Sequence, residues 1–454
     1  MKWLIGFLFI VLFLFPQISV RSQDSVATVK PVKKGWNVGV LPAVSFNSDL
    51  GFQYGGLVNL FHYGDGSRYP KYDHSYYFEA SRYTKGSGLL RLAYDSEQLI
   101  KNIRTTFDFS YMPEQMADFY GFNGYESVYN SDYVENDQTY PSRIFYKHQR
   151  NMFRFHADFT GSLGYDNVFW TAGAEFYDIR LRSVNVDKLN RGKKEEDKLP
   201  DPKNNPGLYE HYINWGLIPA DEASGGYFTG IKGGLVYDSR DFQPNPMSGI
   251  WSDIIIYGAP RLTSQLDNGF LRLSVTHRQY FTLVKEKLSF VYRLSYQGNL
   301  GTYVPFYIQP LMITTQLRGA YSEGLGGQRS LRGILRNRVV GNGFIYGNAE
   351  FRYKFFRIEW LNQNIYLAIN TFIDAGQVVS KIPVEEKVKN HFPNWTENDT
   401  KEYFNFGSES IHWSAGAGLK AVMNENFILS GDFGRALNSQ DGRSGLYIGL
   451  NYLF

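Results

Sequence analysis

The residue types that carry most protein chemistry occur in this chain without the spacings that catalysis requires. The chain contains no nucleophile elbow, no HExxH zinc motif, no Walker A phosphate loop and no cysteine. The glycine-rich run at 324–327 lacks the Lys-Ser/Thr pair of a phosphate loop and predicts a flexible loop instead. The sequence therefore predicts a protein that is not an enzyme and that holds no metal or cofactor.

The remaining polar residues also do not indicate a metal site or a nucleic-acid-binding site. The eight histidines show no spacing typical of metal ligands, and His156 and His277 lie within segments of alternating polarity. The run Arg191–Lys198 mixes both charges, which indicates a solvated loop, with contact to lipopolysaccharide as the alternative. A net charge of +3 gives no argument for nucleic acid, and no nucleic-acid partner is predicted.

Charged residues instead alternate with apolar ones, as they do between Ile345 and Phe355. The odd-numbered positions of this segment are apolar or glycine, and polar residues occupy the even-numbered positions from 348 onward. A period of two belongs to a strand with one apolar and one polar face, and an amphipathic helix does not show it. Glu350 and Arg352 are therefore predicted to face an interior.

Composition excludes a helical membrane protein and favours a membrane β-barrel. Apart from the N-terminal apolar run, no stretch is long enough for a membrane helix. Aromatic residues make up 17% of the chain, with 34 Tyr and 35 Phe, and Gly contributes 45 residues. These levels suit strands and the aromatic girdles of a membrane barrel. Because cysteine is absent, stability must come from a closed sheet and not from disulfides.

The N-terminus predicts a secretory signal peptide over residues 1–22. Lys2 precedes the apolar run Leu4–Phe15, and small residues suitable for cleavage follow. A retained transmembrane helix is the alternative, but about a dozen apolar residues are too few to span about 30 Å of hydrocarbon. Residues 23–34 are then a short periplasmic segment, and residues 35–454 form an outer-membrane β-barrel domain.

Sixteen segments show the alternation of a membrane strand, an even number as single-chain bacterial barrels require. The predicted fold is therefore an all-β, transmembrane antiparallel barrel of about 16 strands. The predicted strand cores are 36–46, 51–62, 74–84, 88–98, 102–112, 146–161, 168–182, 227–239, 250–259, 270–284, 287–298, 343–358, 364–376, 411–423, 427–436 and 445–454.

The lengths of the connections support this assignment independently. The four long connections follow the fifth, seventh, eleventh and thirteenth predicted strands, so all lie at one end of the barrel. They are 113–145, 183–226, 299–342 and 377–410. Most connections at the other end are tight, such as Lys285–Lys287, Asn362–Asn364 and Asn424–Asn426. Long outer loops and short periplasmic turns are the asymmetry of bacterial barrels.

The last predicted strand ends on aromatic residues. Gly449, Tyr452 and Phe454 have the spacing of a barrel C-terminal signal that assembly machinery reads. A terminal Phe alone is a weak indication, but here it closes an alternating strand in a chain with a predicted signal peptide.

Four segments together resemble the BamA/TamA superfamily, also called the bacterial surface antigen family. These segments are Asp238–Gly249, Gly326–Gly333, Phe372–Val378 and Ser414–Leu419. The second resembles the family's (V/I)RG(F/Y) loop, with Leu331 in the first position and Ile334 where an aromatic is usual. The third and fourth resemble its F-x-D-x-G-x-V and S-x-G-x-G-hydrophobic strands. The resemblance implies a long, inward-folding loop between strands 11 and 12.

The resemblance also implies a role for the loop arginine. Arg332 would dock on carboxylates of the inner wall, with Asp374 as the expected partner and Glu350 and Asp432 as further candidates. A guanidinium forms a planar fork that matches carboxylates, and Gly333 would allow the loop backbone to approach the wall closely. The alternative is that Arg332 is one of several surface-loop arginines near Arg329, Arg336 and Arg338.

One departure limits what the resemblance implies. Members of the family that assemble other barrels carry periplasmic POTRA domains before the barrel, and residues 23–34 leave no room for one. The predicted function is nevertheless that of a noncatalytic family member, which assists assembly, insertion or translocation of outer-membrane or surface proteins. Outer-membrane lipids and lipopolysaccharide are expected partners, together with a periplasmic or outer-membrane protein.

The predicted working part is the seam between the first and last strands, Trp36–Phe46 and Leu446–Phe454. An imperfectly paired edge there would template an incoming strand, and Pro42 cannot donate a ladder hydrogen bond. Two alternatives remain open from the sequence. One is a passive pore for small solutes, and the other is a structural or adhesive surface barrel with long outer loops.

Overall fold

The protein is described by a computed structural model over residues 32–69, 71–135, 142–261, 269–301, 303–314, 323–360, 363–392, 401–423 and 427–454. The predicted signal peptide and most of the predicted periplasmic segment lie outside these residues. The first strand, β1, consists of two segments, Trp36–Pro42 and Ser45–Asn47. The other strands are β2 (Gly51–His62), β3 (His74–Tyr83), β4 (Gly88–Ile100), β5 (Ile103–Asp118), β6 (Lys147–Ser162), β7 (Val168–Arg182), β8 (Gly225–Asp238), β9 (Gly249–Ala259), β10 (Phe270–Val284), β11 (Leu288–Asn299), β12 (Gly343–Trp360), β13 (Gln363–Ser380), β14 (His412–Met423), β15 (Phe427–Ala436) and β16 (Ser444–Leu450).

These strands form one closed antiparallel barrel. Each strand pairs with the next along the chain, and β16 pairs with β1 to close the sheet. Both segments of β1 pair with β2, so they act as one interrupted strand and the barrel has sixteen. The predicted all-β barrel of this size is confirmed. The alternating pattern specifies it because every strand needs one face for lipid and one for the lumen.

The side chains of β12 show this alternation clearly. Ile345 and Phe351 point outward and are 45% and 51% exposed, whereas Glu350 and Arg352 point inward and are 1% and 3% exposed. The outward band matches a lipid-facing surface, and the inward charges lie in a confined lumen where each carboxylate needs a partner.

The connections sort by length between the two ends of the barrel. The long ones join β5 to β6, β7 to β8, β11 to β12 and β13 to β14, as the sequence predicts, and all four lie at what we call the loop end. The opposite, turn end carries short connections such as the one between β4 and β5. Of the tight turns predicted there, Asn362 and residues 424–426 lie outside the described residues.

Four short α-helices lie within the described parts of the long connections. They are α1 (Asp132–Glu135), α2 (Val186–Asn190), α3 (Leu208–Asn214) and α4 (Val384–His391). Single 3-10 turns occur at Gly124–Glu126, Glu195–Asp197 and Ser439–Asp441. Among the described residues, none of the helices is long and apolar enough to cross a membrane.

A hydrophobic dome covers the loop end. It is built from all four long connections, and its packing includes an edge-to-face contact between Phe119 and Tyr212 with ring centroids 5.1 Å apart. Other buried members are Phe122, Tyr209, Ile218, Phe306, Ile308, Val388 and Phe404. Aromatic pairs of this kind add to the free energy of burying apolar area, so the dome stabilises the loops against one another.

Several strands differ in extent from the prediction, and three of these differences have a clear physical reason. β5 continues to Asp118 and pairs with β6 up to Lys147, beyond the predicted end at 112, because the ladder extends past the apolar band. β1 is interrupted after Pro42, which has no N–H to donate. β16 ends at Leu450 and not at Phe454, because Asn451 adopts a left-handed backbone (φ 69°) and turns the chain inward.

Candidate functional site

The candidate site consists of a loop folded into the barrel and the seam that this loop contacts. We call residues 323–342, the described segment of the β11–β12 connection that directly precedes β12, the inner loop. Its apolar side chains Leu325, Leu331 and Val339 are fully buried and pack on β12 and β13. A backbone bridge between Leu325 and Val339 closes the inner loop on itself. Apolar packing therefore holds the loop inside the lumen.

Arg332 lies at the tip of the inner loop and binds Asp374 on β13. Its backbone N–H and Nε donate to Asp374 Oδ2 at 3.0 and 2.9 Å, and Nη2 donates to Oδ1 at 2.9 Å. The guanidinium carbon lies 3.5 Å from the centre of the Phe372 ring. The residue is 1% exposed. This is a buried, bidentate pair, whose geometry Lys cannot reproduce.

Two further carboxylates complete the surroundings of Arg332. Nη1 lies 2.6 Å from Glu350 Oε1 on β12 and 3.9 Å from Asp432 Oδ1 on β15. Burial alone would lower the pKa of Arg332, but Asp374 and Glu350 outweigh it and hold that pKa above its usual value. The guanidinium therefore stays charged and links three strands of the wall.

Other cations share these carboxylates. Arg352 Nε donates to Glu350 at 2.8 Å, and Lys420 Nζ donates to Asp432 at 2.6 Å. The structure thus brings together the four charged residues that the sequence predicts for docking of the loop: Arg332, Asp374, Glu350 and Asp432. Each carboxylate keeps a cationic partner, as burial demands.

Gly333 and Gly434 let the inner loop touch the wall. Gly333 has φ +93°, and a Cβ on it would lie 2.4 Å from the carbonyl carbon of Gly434. A Cβ on Gly434 would lie 2.5 Å from the Arg332 carbonyl oxygen. The sequence singled out Gly333 but missed Gly434, because this contact joins positions about a hundred residues apart.

The inner loop is anchored by two more arginines that the sequence left as possible surface residues. Arg336 pairs with Glu114 at 2.8 Å and Asp118 at 3.0 Å, both on β5. Arg338 is fully buried and donates to the carbonyls of Gly124 and Ser127 at 2.8 and 2.9 Å. The loop is therefore bound at its tip to the wall and at its base to the β5–β6 connection.

The seam is much less extensively paired than the rest of the barrel. β1 and β16 share only two residue pairs, Asn47–Tyr447 and Phe46–Ile448, extended by Ser48 N donating to Leu446 O at 3.0 Å. The Trp36–Pro42 segment of β1 pairs with β2 alone within the described part of the chain. One edge of that segment is thus open to pairing.

The chain beyond β16 enters the lumen at the turn end. Tyr452 and Phe454 are 7% and 6% exposed, and the Arg352 guanidinium lies over both rings at 4.1 and 5.3 Å. Of the predicted C-terminal signal, Gly449 lies in β16, whereas the two aromatic residues lie inside the barrel. β16 therefore stops short of the unpaired part of β1.

The inner loop contacts both strands of the seam. Gly333 N donates to Tyr447 Oη of β16 at 3.2 Å, and Asn47 Nδ2 of β1 donates to Gln328 Oε1 at 3.4 Å. In the β1–β2 turn, the Asp49 carboxylate packs against the inner loop at Gly327. Burial and the neighbouring Asp118 carboxylate raise the pKa of Asp49 to about 6.

Comparison with known proteins identifies relatives of this architecture. The model of the Omp85 superfamily domain matches residues 99–454. No curated protein matches the chain. The structure resembles that of BamA from Haemophilus ducreyi lacking POTRA domains 1-3, at 15% identity and a TM-score of 0.53, covering 92% of this chain and 71% of that one. It also resembles CdiB from Escherichia coli, at 10% identity and a TM-score of 0.54, covering 92% of this chain and 63% of that one.

Proposed function

The chain belongs to the Omp85 superfamily, and on that basis we propose that it assists the assembly, insertion or translocation of outer-membrane or surface proteins through the seam between β1 and β16. The family and the closed sixteen-stranded barrel indicate an outer-membrane protein in contact with lipids. The resemblance to the BamA/TamA superfamily drawn from the sequence is confirmed.

The unpaired edge of β1 is the observation that carries this proposal. Trp36–Pro42 offers backbone N–H and C=O groups that no neighbour among the described residues uses on one side. Extended chains bind such edges by adding a strand, with main-chain hydrogen bonds supplying the affinity. A client strand that pairs here would enter the membrane already hydrogen-bonded, which avoids the cost of bare backbone in lipid.

The docked inner loop gives the seam a defined resting state. Its contacts to Asn47 and Tyr447 join β1 and β16 where strand pairing contributes only two residue pairs. In this proposal the barrel is noncatalytic and the chemistry is exchange of hydrogen bonds. Lipopolysaccharide and a periplasmic or outer-membrane protein are proposed partners.

Depletion of the protein, followed by quantification of the outer-membrane proteome, tests this function. Loss of many other barrels supports a general assembly role, and loss of one or a few supports a dedicated role in assembly or translocation. An unchanged proteome overturns the proposal. Re-expression of the wild-type chain must restore the lost proteins for either supporting result to count.

A passive pore is the second candidate, and the lumen's polar lining favours it. Inward-facing charges such as Arg154 and Lys232 would suit passage of hydrated solutes. The inner loop, however, occupies the lumen and is fixed to three strands through Arg332. Assembly of other proteins is therefore the first candidate function and a passive pore the second. The two functions differ in the conductance that they predict.

A further inference from the structure

A cavity of about 510 Å³ opens at the rim of the loop end, between three connections. Tyr125 of the β5–β6 connection, Phe404 and Phe406 of the β13–β14 connection, and Asn438 of the β15–β16 turn line it. We call it the rim pocket. Its volume falls within the range of about 300–1,000 Å³ typical of small-molecule sites.

Flat aromatic surfaces form the apolar part of the rim pocket. The rings of Phe404 and Phe406 stack with centroids 5.3 Å apart and an interplanar angle of 11°. The Tyr125 ring stacks on His412 at 3.8 Å, and its hydroxyl donates to Asp441 at 2.6 Å. These contacts within the protein fix the position of the Tyr125 ring before any ligand binds.

The polar lining is neutral apart from one cation. It consists of three amides, two serine hydroxyls and the exposed Lys401. The amides and hydroxyls belong to Asn405, Asn438, Gln440, Ser408 and Ser410. No carboxylate lines the pocket among the described residues. Amides and hydroxyls both donate and accept, so the lining can pair with a ligand rich in hydroxyl groups. Asn438 Oδ1 and Gln440 Oε1 already accept the backbone N–H groups of Gln440 and Tyr129, so these two amides pair with a ligand mainly through their N–H donors.

Carboxylates near the rim pocket are engaged elsewhere. Glu409 accepts the backbone N–H groups of Tyr125 at 2.9 Å and Val378 at 2.8 Å. Glu126 accepts from Lys381 at 2.6 Å and from Gly407 N at 2.9 Å. Among the described residues that line the pocket, Lys401 is then the one charged group, and it favours an anionic substituent.

We propose that the rim pocket binds a phosphorylated oligosaccharide of lipopolysaccharide. A sugar ring has an apolar C–H face that packs on aromatic rings, while its hydroxyls pair with amides such as that of Asn405. A phosphate substituent pairs with Lys401. The loop end carries the long connections typical of the outer face of a barrel, where these saccharides are anchored.

Saturation-transfer NMR on the full-length protein in lipid nanodiscs tests the proposal. The probes are the phosphorylated core oligosaccharide released from a lipopolysaccharide and the same oligosaccharide after phosphate removal. We expect both to bind, with the phosphorylated probe about tenfold tighter. Asn405→Ala should weaken both by about fivefold. Lys401→Ala should abolish the preference for the phosphorylated probe.

Lys203→Ala, which changes an exposed lysine of the β7–β8 connection, is the matched control and should bind like the wild type. The proposal is overturned if neither probe shows saturation transfer. It is also overturned by unaltered binding by both the Asn405→Ala and Lys401→Ala variants. Because both side chains are exposed, a folded barrel is expected for each variant, and the gel mobility of the unheated protein verifies it.

Discussion

At the residue scale, Arg332 joins the inner loop to β12, β13 and β15 through Glu350, Asp374 and Asp432. A buried ion pair is a poor source of net stability, because desolvation offsets most of the attraction. Removing one partner is different, since the remaining charges stay buried without compensation. The arginine is therefore best understood as fixing where the loop sits.

Arg332→Ala is expected to destabilise the barrel and release the inner loop. Breaking a buried pair of this kind costs about 3–5 kcal/mol. The temperature at which the folded barrel converts to its slower-migrating form on a gel should fall, and residues 323–342 should become sensitive to protease. Arg191→Ala, at an exposed loop arginine, is the control. A variant that melts like the wild type with a protected loop would contradict the docking role.

Asp49 gives the seam a pH dependence. Its pKa is about 6 in the folded protein against an ordinary 3.8, so the folded state holds the proton more tightly. The stability tied to this group is present below pH 3.8 and is lost as pH rises through 6. Asp49→Asn should therefore raise the unfolding temperature at neutral pH, and the difference should shrink as pH falls.

The exposed Asp197→Asn variant should show no such pH-dependent difference. Equal unfolding temperatures for Asp49→Asn and wild type across this pH range would show that ionisation of Asp49 does not destabilise the folded barrel. Heat-modified gel mobility at several pH values supplies the measurement.

The sequence predicted part of this site. Alternation placed Glu350 and Asp432 on the inner face, and the family motif singled out Arg332, Gly333 and Asp374. It did not indicate Gly434 or Tyr447, because their roles depend on close approach of the inner loop to β15 and β16. Such contacts between distant positions leave no local pattern in a single sequence.

At the element scale, the alternation of polar and apolar residues predicted which segments form strands. It did not predict where each strand ends. The alternation of Tyr447 to Phe454 continues past Leu450, so it predicted a longer β16 than the structure has. Asn451 has a left-handed backbone conformation and ends the strand. Asn adopts this conformation more readily than most residues but also occurs in strands, so its presence in the sequence does not predict the end. In β5 the backbone pairing with β6 continues beyond the last lipid-facing apolar residues. The predicted end of this strand rested on those apolar residues and therefore came too early.

Hydrogen exchange should distinguish the open edge of β1 from fully paired strands. Amides in Trp36–Pro42 have one paired neighbour within the described residues, whereas Ile365–Gly376 of β13 is paired on both sides. Local opening governs exchange, so the β1 peptide should exchange at least about tenfold faster in mass spectrometry. β2 serves as the adjacent control. Equal protection of β1 and β13 would argue that the seam is closed along its length.

At the scale of the whole molecule, the dome and the inner loop obstruct a lumen that sixteen strands would otherwise leave open. Reconstituted in planar bilayers, the wild type should show small, flickering conductance. Arg332→Ala, by releasing the loop, should raise single-channel conductance several-fold. A large and steady wild-type conductance would instead support a solute pore.

A disulfide across the seam tests whether the protein works through the edge between β1 and β16. Phe46 and Ile448 pair across the seam, and the chain has no other cysteine, so Phe46→Cys with Ile448→Cys places a single reducible cross-link there. Phe290→Cys with Phe351→Cys makes the matched cross-link between β11 and β12.

Each pair would be expressed in cells depleted of the wild type, and the abundance of other outer-membrane proteins measured with and without reductant. We predict that the locked seam fails to restore them until it is reduced, whereas the control cross-link restores them in both conditions. Full restoration by an oxidised, locked seam would contradict a function through the β1–β16 edge.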